Sequence, residues 1–145
     1  MAGEACALRG DEMSSRKISD LLPHVQPHAY AWLYKCFEKG IDVIVTNTFR
    51  TQEEHDELWS RGRAKPGNKV TWTRNSKHTE RVAIDFTIVK DGKAVWDIKA
   101  DINENDIADY TEVGKMAEEE GFQWGVMIKG RHTDYCHIQW NQGVS

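Results

Sequence analysis

The chain is poor in cysteine. Cys6, Cys36 and Cys136 are odd in number and lack a paired spacing, which argues against a disulfide framework and reads as reduced thiols of a cytosolic product. Long apolar runs are missing too: no stretch approaches the ~20 apolar residues of a membrane span. The N-terminus carries Glu4, Arg9, Asp11 and Glu12 where a secretory leader needs an unbroken apolar segment. Any action outside the cytoplasm is therefore expected to need a separate route of release. Basic residues are in deficit, with 19 Lys and Arg against 23 Asp and Glu and a net charge of -4. Such a chain has no broad positive field for nucleic acid or an anionic membrane surface. Its 145 residues suit one ordinary domain that buries a core without staples.

Residues Met1 to Lys17 are mixed, small and polar, without periodic apolar positions, and read as a loosely held arm. A single domain is expected from 18 to 145. Leu22, Val25, Ala29, Trp32, Leu33, Cys36 and Phe37 recur at helical steps, with Pro27 fit for a first turn and Gly40 for a C-terminal cap. Ile41 to Thr48 is largely β-branched and reads as a mostly buried strand. Thr51 and Glu54 form a capping box for a helix running to about Ser60. Val82, Ile84, Phe86 and Ile88 alternate with Ala83, Asp85 and Thr87, which makes a strand with Asp85 on its polar face. Lys90-Asp91-Gly92-Lys93 suits a hairpin turn. The span from Asn105 to Glu120 predicts a helix with Ile107, Tyr110, Val113 and Ala117 inward and Gly121 as its stop. In the last strand, Tyr135, His137 and Gln139 share one face and Cys136, Ile138 and Trp140 the core face.

Two short segments carry the chemistry: Ser76-Lys-His78-Thr-Glu-Arg81-Val-Ala83-Ile-Asp85, and Asp134-Tyr-Cys-His137. Together they supply two imidazoles, a ligating carboxylate and a spare carboxylate, the inventory of a catalytic zinc site. Asp134 and His137 face oppositely on a straight strand, so Asp134 must stand in a turn or at a bulge to approach the same ion. His24, His28, His55 and His132 lie in no such pattern.

Ser76-x-His78-x-x-Arg81-x-Ala83-x-Asp85 resembles the first signature of zinc peptidases related to D-alanyl-D-alanine carboxypeptidases and dipeptidases, and Asp134-x-x-His137 resembles their second. The order and spacing of Asp42 to Thr51, Leu58 to Arg63, Pro66-Gly67, Val70-Thr71 and Glu120 to Gly125 are similar to L-alanyl-D-glutamate endopeptidases of phage endolysins and bacterial wall hydrolases. The likeness runs from Ser19 to Trp140. It implies a small α+β domain with a central, mainly antiparallel sheet flanked by helices, and one Zn2+ per chain on His78, Asp85 and His137. Asp134 is implied as the general base and Arg50 as the arginine facing the substrate or the developing oxyanion. Ser76, Gln139 and Trp124 are implied as supporting or substrate-facing residues. The partner expected is the peptidoglycan stem peptide, cut between L-Ala and D-Glu by a monomeric phage or prophage enzyme made in the host cytoplasm and released through a separate pore.

Arg81 stands where the family's signature usually has glycine, and Gln139 where glutamate is common. Two other classes share the same metal residues. One is a carboxypeptidase or dipeptidase that trims D-alanyl-D-alanine ends; the other is a zinc-bearing wall-binding module without turnover.

Overall fold

The computed structural model describes residues 15–64, 77–128 and 131–142, except for the side chains of 126–128 and 131–134. A single 3-10 turn, Ile18–Asp20, precedes helix α1 (Gln26–Glu38), strand β1 (Asp42–Asn47) and helix α2 (Gln52–Ser60). Strands β2 (Ala83–Lys90) and β3 (Lys93–Ala94), helix α3 (Asp109–Glu119) and strands β4 (Phe122–Ile128) and β5 (Arg131–Trp140) complete the order. The sheet runs β1-β2-β5-β4, with β3 folded back on β2, and every pairing is antiparallel. This is the α+β architecture implied by the resemblance.

One face of the sheet and helices α1 and α3 enclose the core. Ile84, Phe86 and Ile88 of β2 and Cys136, Ile138 and Trp140 of β5 are buried with Ala29, Trp32 and Cys36 of α1 and Tyr110, Val113 and Ala117 of α3. Trp32 meets Phe86 edge-on at 5.1 Å and donates its indole N–H to Val113 O of α3 at 3.0 Å. The alternation read for β2 and β5 is the one the strands adopt. The turn between β2 and β3 has Asp91 and Gly92 both at positive φ, the twist a two-residue hairpin requires.

Several expectations need correction. Strand β1 is not mostly buried: among the described residues it lies at the sheet edge, paired with β2 alone, and Ile44 is exposed. A β-branched run looks the same on an edge as in the middle, because propensity reports the pleat and not the neighbours. Phe37, expected on the inner face of α1, is exposed at its last turn. Helix α3 begins at Asp109, not Asn105, so Ile107 falls in the preceding loop and points outward. Cys36 is a free, buried thiol, but Cys136 is disulfide-bonded, which overturns the reading of three reduced thiols; spacing along a chain does not reveal which cysteines meet in space. Cys6 and most of the arm lie outside the described residues. Ser15 bridges to Phe49, and Thr48 donates its hydroxyl to Lys17 O at 2.8 Å.

Candidate metal centre

The other face of the sheet carries polar side chains that are buried around Asp85. Asp85 on β2 pairs in register with His137 on β5, so the two side chains stand together on that face. His78 comes from the turn just before β2. Its carbonyl accepts N–H bonds from Arg50 and Arg81, both at 3.3 Å, which ties the turn to the segment that opens α2. His78, Asp85 and His137 are all buried, and their ligand atoms lie within 4.8 Å of one another. Two imidazole nitrogens and a carboxylate oxygen at such range are the donor set of a zinc site with an open fourth position, so these residues fit the ion.

His137 Nδ1 is 2.9 Å from Asp85 Oδ1, and His137 Nε2 is 2.8 Å from Gln139 Oε1. An amide oxygen only accepts, so Nε2 carries the ring hydrogen and Nδ1 is the nitrogen turned to the ion site. The Gln139 amide N–H in turn donates to Asn141. His78 presents Nε2, 3.2 Å from Asp85 Oδ2. Burial pushes the His78 pKa down; Asp85 opposes this, while His137 and Arg50 add to it. The result favours neutral imidazole, the form that binds metal.

Arg50 is buried near the triad, and its guanidinium is 3.1 Å from His55 Nδ1. His55 lies on the first turns of α2, whose start is secured by the capping box: Thr51 Oγ1 accepts from Glu54 N at 3.0 Å and Glu54 returns the bond. The cap thereby sets where His55, and through it Arg50, is held. His55 was missed from sequence because a lone histidine on a polar helix carries no pattern. Asn47 was missed as well. It is fully buried on β1, paired with Asp85 across a register shift.

Of the remaining sequence candidates, Ser76 lies outside the described residues. Asp134 is within β5, where the register with β4 jumps from Trp124↔Ile138 to Val126↔Thr133. Residues 134–137 therefore face Gly125 alone, the kind of irregularity by which a strand re-aims a side chain. Trp124 packs its indole against Gly114 of α3 and donates to Tyr135 O at 3.0 Å, so it is on the core side of the sheet. Arg81 takes a positive φ of 63°, the left-handed conformation for which glycine is the usual choice. Its guanidinium lies 3.9 Å over the Phe49 ring and donates to Asp20 O at 3.3 Å.

Residues 69–140 match the family described as D-alanyl-D-alanine carboxypeptidase. Over 124 residues the chain is 44% identical to the peptidoglycan L-alanyl-D-glutamate endopeptidase CwlK of Bacillus subtilis (strain 168), covering 83% of this chain and 74% of that protein. Among solved structures, the L-Ala D-Glu endopeptidase ChiX of Serratia marcescens superposes with a TM-score of 0.63 at 15% identity, over 90% of this chain and 87% of that one. A vancomycin-resistance D,D-pentapeptidase VanY from a VanB-type cassette, in complex with Zn(II), superposes with a TM-score of 0.54 at 19% identity, over 83% and 72%. The chain belongs to the D-alanyl-D-alanine carboxypeptidase-like family of metallopeptidases.

Proposed function

We propose that this protein is a zinc-dependent peptidoglycan hydrolase that cuts the stem peptide between L-Ala and D-Glu, with its catalytic domain spanning 18 to 145. The observation that carries the reading is the buried triad of His78, Asp85 and His137 in a chain 44% identical to CwlK. Those three residues would hold one zinc. Bound there, zinc supplies Lewis-acid polarisation of a carbonyl and a water made acidic enough to react near neutral pH.

The chain's own groups do the rest. Asp134 takes a proton from the attacking water and returns it to the leaving amine; the register shift in β5 supports that role. Arg50 offers a permanently charged, fork-shaped donor to a substrate carboxylate or the developing oxyanion, and its bond to His55 removes the freedom a long side chain would otherwise lose on binding. Gln139 holds the His137 ring in one tautomer, as outer partners of metal histidines do. Ser76 and Trp124 complete the set as supporting residues, Trp124 by backing β5 from the core. The biological setting we attach is lysis by a phage or prophage, with a monomeric enzyme made in the host cytoplasm and reaching the wall through a separate pore. Its support is the order and spacing of segments shared with endolysins. No helix among the described residues is long and apolar enough to cross a membrane.

The test is Asp134→Ala. Zinc content should stay at the wild-type level while hydrolysis falls by about two to four orders of magnitude, the usual contribution of a positioned acid or base. Loss of zinc would mean that Asp134 is a ligand and the assignment of roles is wrong.

A further inference from the structure

The loop that leads into α3 has an order of residues that the peptidase reading does not use. From Asp101 to Glu112 the chain reads Asp-Ile-Asn-Glu-Asn-Asp-Ile-Ala-Asp-Tyr-Thr-Glu. Oxygen-bearing side chains stand at the first, third, fifth, ninth and twelfth places of a twelve-residue stretch, and the twelfth is glutamate. That is the spacing by which calcium loops wrap one ion, with the seventh residue giving its carbonyl and the sixth needing a sharp turn usually made by glycine. The sixth residue here is Asp106, and its φ is 67°, so the backbone makes the left-handed turn although glycine is absent.

The local bonds follow the same scheme. Asp101 accepts N–H bonds from Asn105 at 3.1 Å and Asp106 at 2.7 Å, and Asn105 Oδ1 accepts from Ile107 at 3.1 Å. Ile107, in the seventh place, turns its side chain to solvent. Ala108 is extended and α3 starts at the ninth residue. Glu112 is buried, and its carboxylate accepts from the amides of Asn103 at 3.1 Å and Asn105 at 2.8 Å.

Hydrogen bonding alone does not satisfy this arrangement. Asp109 is fully buried; its Oδ2 accepts from Ile102 N at 2.7 Å, while its Oδ1 makes no hydrogen bond of good geometry, the Asn103 backbone N–H standing near the carboxylate without closing one. Asn103 Oδ1 is likewise enclosed without a partner. A buried carboxylate oxygen left so is costly; burial pushes the Asp109 pKa up and Asp101 and Glu112 add to it, while the backbone N–H groups of Ile102 and Asn103 oppose it. Both atoms belong to side chains that also bond within the loop, Asp109 to Ile102 and Asn103 to Glu112, and a cation between them would relieve the cost. The three carboxylates do not form a tight three-acid cluster of their own. A calcium loop does not require one: amide oxygens and a backbone carbonyl supply several ligands, and the ninth residue often acts through water.

We propose that the Asp101–Glu112 loop binds one Ca2+, separately from the zinc triad. All the donors are hard oxygens, irregular in arrangement and without imidazole or thiolate, which suits Ca2+ over Zn2+ and over the strict octahedron of Mg2+. Asn103 also donates to Lys39 O at the end of α1 at 2.9 Å, so the ion would fasten the start of α3 to the end of α1 and act on stability.

The test is calorimetric titration of the zinc-loaded protein with CaCl2, alongside thermal unfolding with and without Ca2+. The expected result is saturable binding of one Ca2+ per chain, a higher melting temperature in Ca2+, and no comparable effect of Mg2+. Glu112→Gln and Asp101→Asn keep the shape and some acceptors of these side chains; each should weaken Ca2+ on the order of tenfold or more, given how strongly such loops depend on ligand charge, with zinc content unchanged. Absence of saturable binding to the wild-type protein up to millimolar Ca2+, or binding undiminished in both variants, overturns the proposal. If a variant fails to fold, the wild-type titration and its Mg2+ control decide.

Discussion

At Arg81 a rule of backbone geometry and a side-chain contact pull in opposite directions. Its left-handed conformation costs a non-glycine residue about 1 kcal/mol, while the stacking on Phe49 returns roughly 0.5–1 kcal/mol. Arg81→Gly relieves the first and forfeits the second, so stability should change little. Arg81→Ala forfeits the contact and keeps the strain, so it should melt below Arg81→Gly by roughly 3 °C. An alanine variant as stable as the glycine variant would show that the strain is not there. At this scale the sequence was uneven. His78, Asp85 and His137 were legible because they occur in two spaced patterns on or beside an alternating strand. His55 and Asn47 were not, since His55 meets Arg50 and Asn47 comes beside Asp85 only in the fold. Cys36 shows the same principle from the inert side: burial pushes its thiol up to about 12, so a free cysteine in the chain is not a reactive one.

Between elements, α3 lies close against β4. A Cβ placed on Gly114 would stand 2.1 Å from the Trp124 indole, so the helix sits on the ring at a distance only glycine permits. Gly114→Ala must push either helix or indole away, and overpacking of this kind typically costs about 1–3 kcal/mol. The expected outcome is a lowered melting temperature measured by circular dichroism; an unchanged one would mean that the helix does not rest on Trp124. The capping box of α2 was readable because capping is local chemistry, and the observed helix runs Gln52–Ser60 as the pattern implied. The start of α3 was not, because apolar periodicity continues back through Ile107 while Asp101 and Asn105 hold that stretch as loop. Edge and central strands were also indistinguishable, which is why β1 looked buried.

For the whole molecule, the architecture places an apolar core under one face of the sheet and a buried polar site on the other. Helices α1 and α3 cover the first face and are further tied by Lys35 to Glu119 and Glu120 at 3.4 and 2.8 Å, a surface linkage that contributes little alone. The second face gathers three buried donors whose mutual proximity leaves two imidazoles and a carboxylate in one small volume. Such a group is costly to bury without a cation, and its donors suit the zinc proposed for the site.

The measurement that tests the central claim most directly is mass spectrometry of the products from defined peptidoglycan fragments incubated with the zinc-loaded protein, with and without chelator. The account predicts release of a peptide beginning with D-Glu, abolished by chelator and restored by added zinc. Release of D-Ala would move the protein to the carboxypeptidase class, and no cleavage despite bound zinc would contradict the account altogether.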